Sequence, residues 1–266
     1  MLSVTKLSSS VARVDMTNPN ADGTQALYPR PVLGDPVTRV PPARVPARQS
    51  LRGQYVELVP LDAAKHCREL FEASHGCEEA LHIWDYLADG PWPDVASYTR
   101  ALKQQTAALA RIYFAIRPLD ASNFCGQASY LDIDASNGVI EIGHIWFGPE
   151  LQRTRAATEA LYLMIRHAMD DLGYRRMQWR CNAQNQKSRA AANRLGFRFE
   201  GIFYNHLIYK GKNRDTAWLS ILDDEWPQLR ELFERWLAPQ NFNAQGQALS
   251  SLAKIVSSRA PSMRTV

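Results

Sequence analysis

The stretch from Val139 to Gly173 constrains this chain more than any other. Its first nine residues, VIEIGHIWF, read as a strand, and Gly148-Pro149 stops it. Ala157, Ala160, Leu161, Met164, Ile165, Ala168 and Leu172 then recur at the spacing of one helical face, and Gly173 follows as a stop. A strand, a short loop and a long amphipathic helix in direct succession are the beginning of a sheet covered by helices.

The pattern on either side agrees. Upstream, strands are expected over 54–59, 112–117 and 125–133, with helices over 63–75, 78–87 and 94–109, the last opening on a possible Asp94 cap. Downstream, strands are expected over 176–181, 197–209 and 215–222, with helices over 185–195 and 225–237 and a Lys-Gly-Lys-Asn turn joining the last two strands. The whole is a mixed sheet with helices on both faces, of the α/β (α+β) class. Before it, residues 1–50 hold seven of the fifteen prolines, which remove backbone donors, so this stretch is expected to be a disordered, extended arm. The globular domain is expected over 51–238. Residues 239–266 lose apolar periodicity and are expected to be a flexible tail, with a short helix over 248–255.

Composition narrows the function. The 266 residues are 45% hydrophobic and 22% charged, enough for one well-cored domain. The formal net charge of +4 owes much to six basic residues against three acids in the first fifty positions. Elsewhere bases and acids interleave, so nucleic acid is not an expected partner. No apolar run approaches membrane-spanning length, so no membrane partner is expected either. Cys67, Cys77, Cys125 and Cys181 make no CxxC pair and no Cys/His cluster, so no metal site is expected, and a reduced intracellular compartment is the simpler reading. That points to the cytoplasm. The Ser-rich, basic opening MLSVTKLSSSVARV leaves a mitochondrial signal as the alternative.

The loop after Phe147 carries the chemistry. The first turn of a helix leaves N–H groups unpaired and carries partial positive charge, which makes it a phosphate site. Arg153 and Arg155 sit at this end, where cations oppose the helix dipole unless an anion lies between them. The run Gln152-Arg153-Thr154-Arg155-Ala156-Ala157 resembles the pyrophosphate loop of the GNAT N-acetyltransferase superfamily, written Q/R-x-x-G-x-G/A. The following Thr158-Glu159-Ala160-Leu161 resembles its RimJ/RimL-like branch. Asn185-Gln186-Lys187-Ser188, Asn193-Arg194-Leu195-Gly196-Phe197, Phe199-Glu200-Gly201, Asp215, Ser220-Ile221-Leu222 and Glu225-Trp226 resemble later blocks of that branch, in order. Arg155 stands where the loop has its usual glycine, and Ala192 where many relatives have a tyrosine acid.

The resemblance implies a mostly antiparallel sheet of about seven strands, splayed in the middle between 139–147 and 176–181. It implies acetyl-CoA as co-substrate, with direct transfer to a primary amine in a ternary complex. Backbone groups of Ile145, Trp146 and Phe147 would line the pantetheine arm and the oxyanion. Gln152, Arg153, Thr154, Arg155, Ala156, Ala157 and Thr158 would hold the pyrophosphate. A side chain at Arg155 keeps its N–H available if its backbone is helical, and its guanidinium could add a charged contact. Asn185 would hold the pantetheine amide and Ser188 the departing sulfur, although both also read as helix caps. Glu141, His144 and Asp215 are the candidates for the base. Strict alternation puts Glu141 with Gly143, Ile145 and Phe147, and His144 on the opposite face, unless a bulge intervenes. Glu141 reads equally as a buried ion pair, His144 as a core histidine and Asp215 as a partner of Arg214 or Lys212. Trp84, Tyr86 and Trp92, with Asp215, are candidates for the acceptor pocket, or else core. The acceptor is a small-molecule amine or a peptide N-terminus, and the protein a monomer or homodimer. A non-catalytic CoA-binding module is the alternative function, on account of Ala192 and Arg155.

Overall fold

Short-range antiparallel pairing builds the first half of the sheet, and a crossover helix starts the second. The computed structural model describes Gly34, Pro36, Val37 and residues 42–257. It divides into Met1–Thr38, of which the three described residues are exposed, and Arg39–Val266. The expected targeting stretch lies outside the described residues.

In the second unit the strands are β1 (Leu51–Arg52), β2 (Val56–Pro60), β3 (Ile112–Pro118), β4 (Gly126–Asp134), β5 (Val139–Phe147), β6 (Arg176–Asn182), β7 (Arg198–Tyr209) and β8 (Lys212–Leu222). They form one sheet in the order β1-β2-β3-β4-β5-β6-β8-β7. Only β5 and β6 run parallel. The helices are α1 (Ala63–His75), α2 (Glu78–Leu81), α3 (Val95–Ala107), α4 (Arg155–Arg166), α5 (Gln186–Arg194), α6 (Trp226–Leu237) and α7 (Leu252–Ser257). Among the described residues there are eight strands rather than about seven, because the two residues of β1 pair with Leu58 and Glu57. The expected helix over 78–87 shrinks to α2 and a 3-10 turn, His82–Trp84, since the chain there turns to bury Trp84.

Alternation in β3 distributes two cores. Ile112, Phe114 and Ile116 pack into a large cluster with α4 and α6, while Tyr113 and Ala115 face a smaller one with Leu70 of α1, Leu102 of α3, Trp84 and Trp146. Helix α4 is more deeply enclosed than its amphipathic pattern suggests. Every residue from Ala156 to Ile165 is buried. Its outer side is sealed by polar contacts. Buried Glu159 accepts the N–H groups of Gln54 at 2.9 Å and Tyr55 at 2.6 Å, and the Tyr162 hydroxyl donates to Glu234 at 2.9 Å. A Cβ at Gly53 would lie 2.4 Å from the Glu159 carboxyl carbon, so a side chain there would displace that carboxylate from its two N–H donors.

The core reaches past both expected domain boundaries. Buried Ala43 donates its N–H to Ala135 at 2.9 Å and joins the large cluster. On the other side, Leu252 and Val256 of α7 are buried in the same cluster, and Phe242 lies edge-on to Trp236. Apolar residues spaced singly along a Pro- or Ser-rich segment carry no period, yet each can fill a prepared hollow.

Candidate active site

Strands β5 and β6 pair only at Val139–Arg176, Ile140–Met177 and Glu141–Gln178. Beyond Glu141 they part, while β6 stays paired with β8 as far as Asn182–Thr216. The expected splay is therefore present, between the expected strands. A bulge on the other edge of β5 accompanies it. Gln127 opposes Trp146 and Ser129 opposes Gly143, so two residues of β5, His144 and Ile145, stand against the single Ala128 of β4. The Ser129 hydroxyl donates to the Gly143 carbonyl at 2.9 Å, and His144 takes up the extra residue at φ 48°.

The bulge redirects the side chains. Ile140, Ile142 and, past the bulge, Ile145 and Phe147 pack against the large core, whereas Trp146 joins the small one. His144 stands edge-on to Tyr113, 5.7 Å between ring centres, on the small-core side. A Cβ at Gly143 would lie 3.1 Å from Glu141 Oε1. Glu141, His144 and Trp146 thus share one face. Strict alternation, which separates Glu141 from His144 and groups it with Ile145 and Phe147, does not hold, because one inserted residue inverts the phase of every residue after it.

Glu141 is 3% exposed and paired with Arg180 Nε, and Arg180 also binds Asp132. Burial, opposed by Arg180 and reinforced by Asp132, pushes its carboxyl up to about 7. It is both an ion pair and a group that exchanges its proton near neutrality. Burial, aided by Arg111, pushes His144 down, which keeps the imidazole neutral. Arg111 Nη1 approaches His144 Nε2 at 3.3 Å.

The first turn of α4 is built from backbone. Thr154 caps it, its hydroxyl accepting from Ala157 N–H at 3.0 Å. Gln152 Nε2 donates to the Phe147 carbonyl at 2.8 Å, fixing the loop to the end of β5. Among the described residues, the N–H groups of Arg153, Arg155 and Ala156 have no acceptor. Left-handed backbone occurs at Arg153, φ 63°, while Arg155 is the first helical residue. The residue in the glycine's place therefore needs no glycine conformation. Its side chain, however, turns away from the loop. The Arg155 guanidinium lies 3.6 Å from the Tyr55 ring centre and 3.9 Å from that of Phe242, and donates to the Leu237 carbonyl. A charged phosphate contact from it, as expected above, does not fit this arrangement, because two rings and a carbonyl already hold the cation. Arg194 of α5 sits at the turn instead. Its Nη1 donates to Thr158 at 3.1 Å, and it has no carboxylate partner among the described residues.

At the head of α5, Asn185 caps the helix by accepting Ser188 N–H at 3.0 Å. Ser188 Oγ accepts from Trp179 Nε1 at 3.0 Å. Buried Ala192, in place of a tyrosine, adds to the core. The aromatic candidates separate. Trp84 is buried against Trp92, Tyr98 and Trp146, with its indole N–H on the Ser74 carbonyl at 3.2 Å. Tyr86 is exposed, its hydroxyl 3.5 Å from the Gln184 carbonyl at the β6–α5 loop. Asp215 accepts from Asn205 N–H at 2.8 Å and Asn213 at 2.9 Å, so it ties the β7–β8 irregularity rather than Arg214 or Lys212. Lys210 Nζ, at the tip of that hairpin, donates to the Trp84 carbonyl at 2.7 Å, closing the hairpin onto the 82–86 turn. Reading the sequence missed Arg111, Arg180 and Arg194. Only Arg194, inside the quoted Asn-Arg-Leu-Gly-Phe block, left a signal. Among the described residues no group of acids, histidines and cysteines is placed to hold a metal, and no helix is long and apolar enough to cross a membrane.

Comparison with known proteins agrees with this geometry. The family described as "Acetyltransferase (GNAT) domain" matches residues 56–198. A Bacillus subtilis (strain 168) protein named as a ribosomal N-acetyltransferase, YdaF, is 32% identical over 153 residues, 56% of this chain and 81% of that protein. The crystal structure of a GCN5-related N-acetyltransferase from Brucella melitensis superposes with a TM-score of 0.80 at 42% identity, over 83% of this chain and all of the other. One from Chromobacterium violaceum ATCC 12472, described as an acetyltransferase of the GNAT family, gives 0.67 at 36%, over 75% of this chain and 100% of that one. Splayed strands, an electropositive helix start and these likenesses converge: the chain belongs to the GNAT acetyltransferase family.

Proposed function

We propose that the protein transfers the acetyl group of acetyl-CoA directly to a primary amine, both bound at once across the splay of β5 and β6. The observation that carries this is Glu141, the last β5 residue paired to β6, holding a carboxyl near neutrality on one face of the splay while the N–H groups of α4 start lie beyond the other end of β5. When bound, acetyl-CoA supplies a thioester carbonyl open to attack. Backbone N–H groups of Arg153 to Thr158 would hold its pyrophosphate, with Arg194 beside them. The bulge at His144 and Ile145 frees backbone from β4 and turns it toward the gap, where Ile145, Trp146 and Phe147 would bind the pantetheine and the developing oxyanion.

An alkylammonium must lose a proton before it attacks. Glu141, reached through water because it is buried, would take that proton, and neutral His144 on the same face is the second acceptor. The nitrogen bonds to the acetyl carbon and releases its second proton to water, the carbon–sulfur bond breaks, and the sulfur leaves with its negative charge. Ser188 would donate a hydrogen bond to that sulfur, which takes its proton from solvent. Asn185 would act mainly as the cap that positions Ser188. For the acceptor, Tyr86 and the hairpin tip stand at the rim, whereas Trp84 and Trp92 support them from the core. The name of the YdaF relative favours a protein N-terminus over a small amine.

Thiol release followed together with product mass over an amine panel tests this. Transfer to at least one amine, lost in Glu141→Gln with acetyl-CoA binding retained, is the expected result. A protein that binds acetyl-CoA and acetylates none would be the non-catalytic module instead.

A further inference from the structure

Two guanidiniums on the acceptor face have no ion-pair partner within 4.0 Å among the described residues. Arg214, on β8, is 8% exposed, and its Nε is buried without a hydrogen-bond partner. Its one described contact of note is the Tyr209 ring, 4.4 Å from Cζ. It forms no ion pair within 4.0 Å among the described residues. Arg111, half-buried just before β3, reaches only the Tyr113 hydroxyl and His144 Nε2, each at 3.3 Å. The acids within electrostatic range, Glu141 for Arg214 and Asp132 for Arg111, make their ion pairs with Arg180 instead. Asp89 acts on His144 from a distance, with no ion pair.

The two arginines lie within electrostatic range of the same residue. Both act electrostatically on His144, the bulge residue at the splay. Alternation puts Arg214 on the face of β8 opposite Ala217 and Leu219, which belong to the large core, and thus on the face of Glu141 and His144. A buried charge without a partner is costly, so its retention calls for a group that completes it. The other cations nearby are accounted for: Arg180 by two carboxylates and Lys210 by the Trp84 carbonyl.

Resting on the acetyltransferase reading above, we propose that Arg111 and Arg214 bind an anionic group of the acceptor, so that the preferred substrate is a primary amine carrying a carboxylate or phosphate a few bonds from its nitrogen. Arginine suits this role because its planar fork grips a carboxylate or phosphate through two parallel hydrogen bonds. A peptide beginning with an acidic residue, an acidic amino acid and a phosphorylated amine all present this chemistry.

Matched acceptors that differ in charge alone test it. The full chain, with saturating acetyl-CoA, is assayed on glutamate against glutamine, on Ser-Glu-led against Ser-Gln-led peptides, and on O-phosphoethanolamine against ethanolamine. At least one charged member should exceed its neutral twin by about tenfold or more in kcat/KM, and the winning pair identifies the source of the anion. Arg214→Gln should erase that preference by raising KM for the charged member about tenfold relative to its neutral twin. Arg214→Lys should restore part of it. Arg111→Gln, at a half-buried position, gives the same reading if the Arg214 variant does not fold. Neutral twins used equally well, or a preference that survives both glutamine variants, overturns the proposal while leaving the transferase intact. If no amine is acetylated, the acetyltransferase reading fails instead. Calorimetry of glutamate and O-phosphoethanolamine on the CoA-saturated protein then decides the site, since binding absent from the wild type, or unchanged in both variants, overturns it.

Discussion

The two sides of the β5–β6 splay are built on different principles. The side at the start of α4 is made of backbone. A capped turn presents N–H groups of Arg153, Arg155 and Ala156, and its shape depends on residues close together in the chain. The opposite side is made of side chains, brought from Arg111, Glu141, His144, Arg180 and Arg214 on three strands and a strand approach. Backbone amides grip a diphosphate whatever the neighbouring side chains are, which suits a co-substrate that never varies. Side chains on separate strands can be exchanged one at a time, which suits an acceptor that distinguishes one relative from the next.

Perturbing each side separately sharpens this contrast. The largest effect is expected at Glu141→Gln, which should lower kcat by about 100- to 10,000-fold with acetyl-CoA affinity retained. In the wild type, kcat/KM should rise with pH and level off above about 7, because the raised carboxyl is a base only once deprotonated. That limb should vanish in the variant, and a limb that persisted would transfer the role to His144. Next, Ser188→Ala should lower kcat about tenfold, through one lost hydrogen bond to a charged sulfur. Trp179 loses its acceptor in the same variant, so a fluorescence change should accompany it. An unchanged kcat would leave Ser188 a capping residue only.

Smaller effects belong to the backbone side. Arg155→Ala removes the stack between Tyr55 and Phe242 and the bond to Leu237, which should cost about 2 kcal/mol and lower Tm by about 4–8 °C. Saturating acetyl-CoA should still raise the Tm of this variant, since the amide of residue 155 remains. The smallest effect is Thr154→Ala, about 1 kcal/mol for the lost cap, seen by thermal denaturation. Should either variant abolish acetyl-CoA binding by calorimetry, the division between a backbone side and a side-chain side would be wrong.

Legibility follows the same division. Strand β5 and helix α1 match their expected limits residue for residue, and β6, α5 and α6 differ by a residue or two, because period and stop signals are local. The capped turn before α4 was readable for that reason. The helix over 78–87 was not, since burying Trp84 outweighed helix propensity. Nor was the tail, where Phe242 serves a residue nearly ninety positions earlier, Arg155. At the base candidates, Glu141 and His144 were nameable, but their common face was not, because a bulge leaves no composition of its own.

The amino-acid order alone determined that a strand ends at Phe147, that a helix begins after an unpaired turn, and that later blocks follow in the spacing of acetyltransferases. Those features arise from interactions within a few residues, where sequence and geometry are nearly the same thing. Tertiary structure decided which charges meet. Glu141 is held by Arg180, Arg155 is claimed by two rings, and Arg214 is buried against the Tyr209 ring with no ion pair among the described residues. Burial and pairing depend on what the far ends of the chain bring to a point, and electrostatics in a poorly hydrated interior turns those encounters into chemistry.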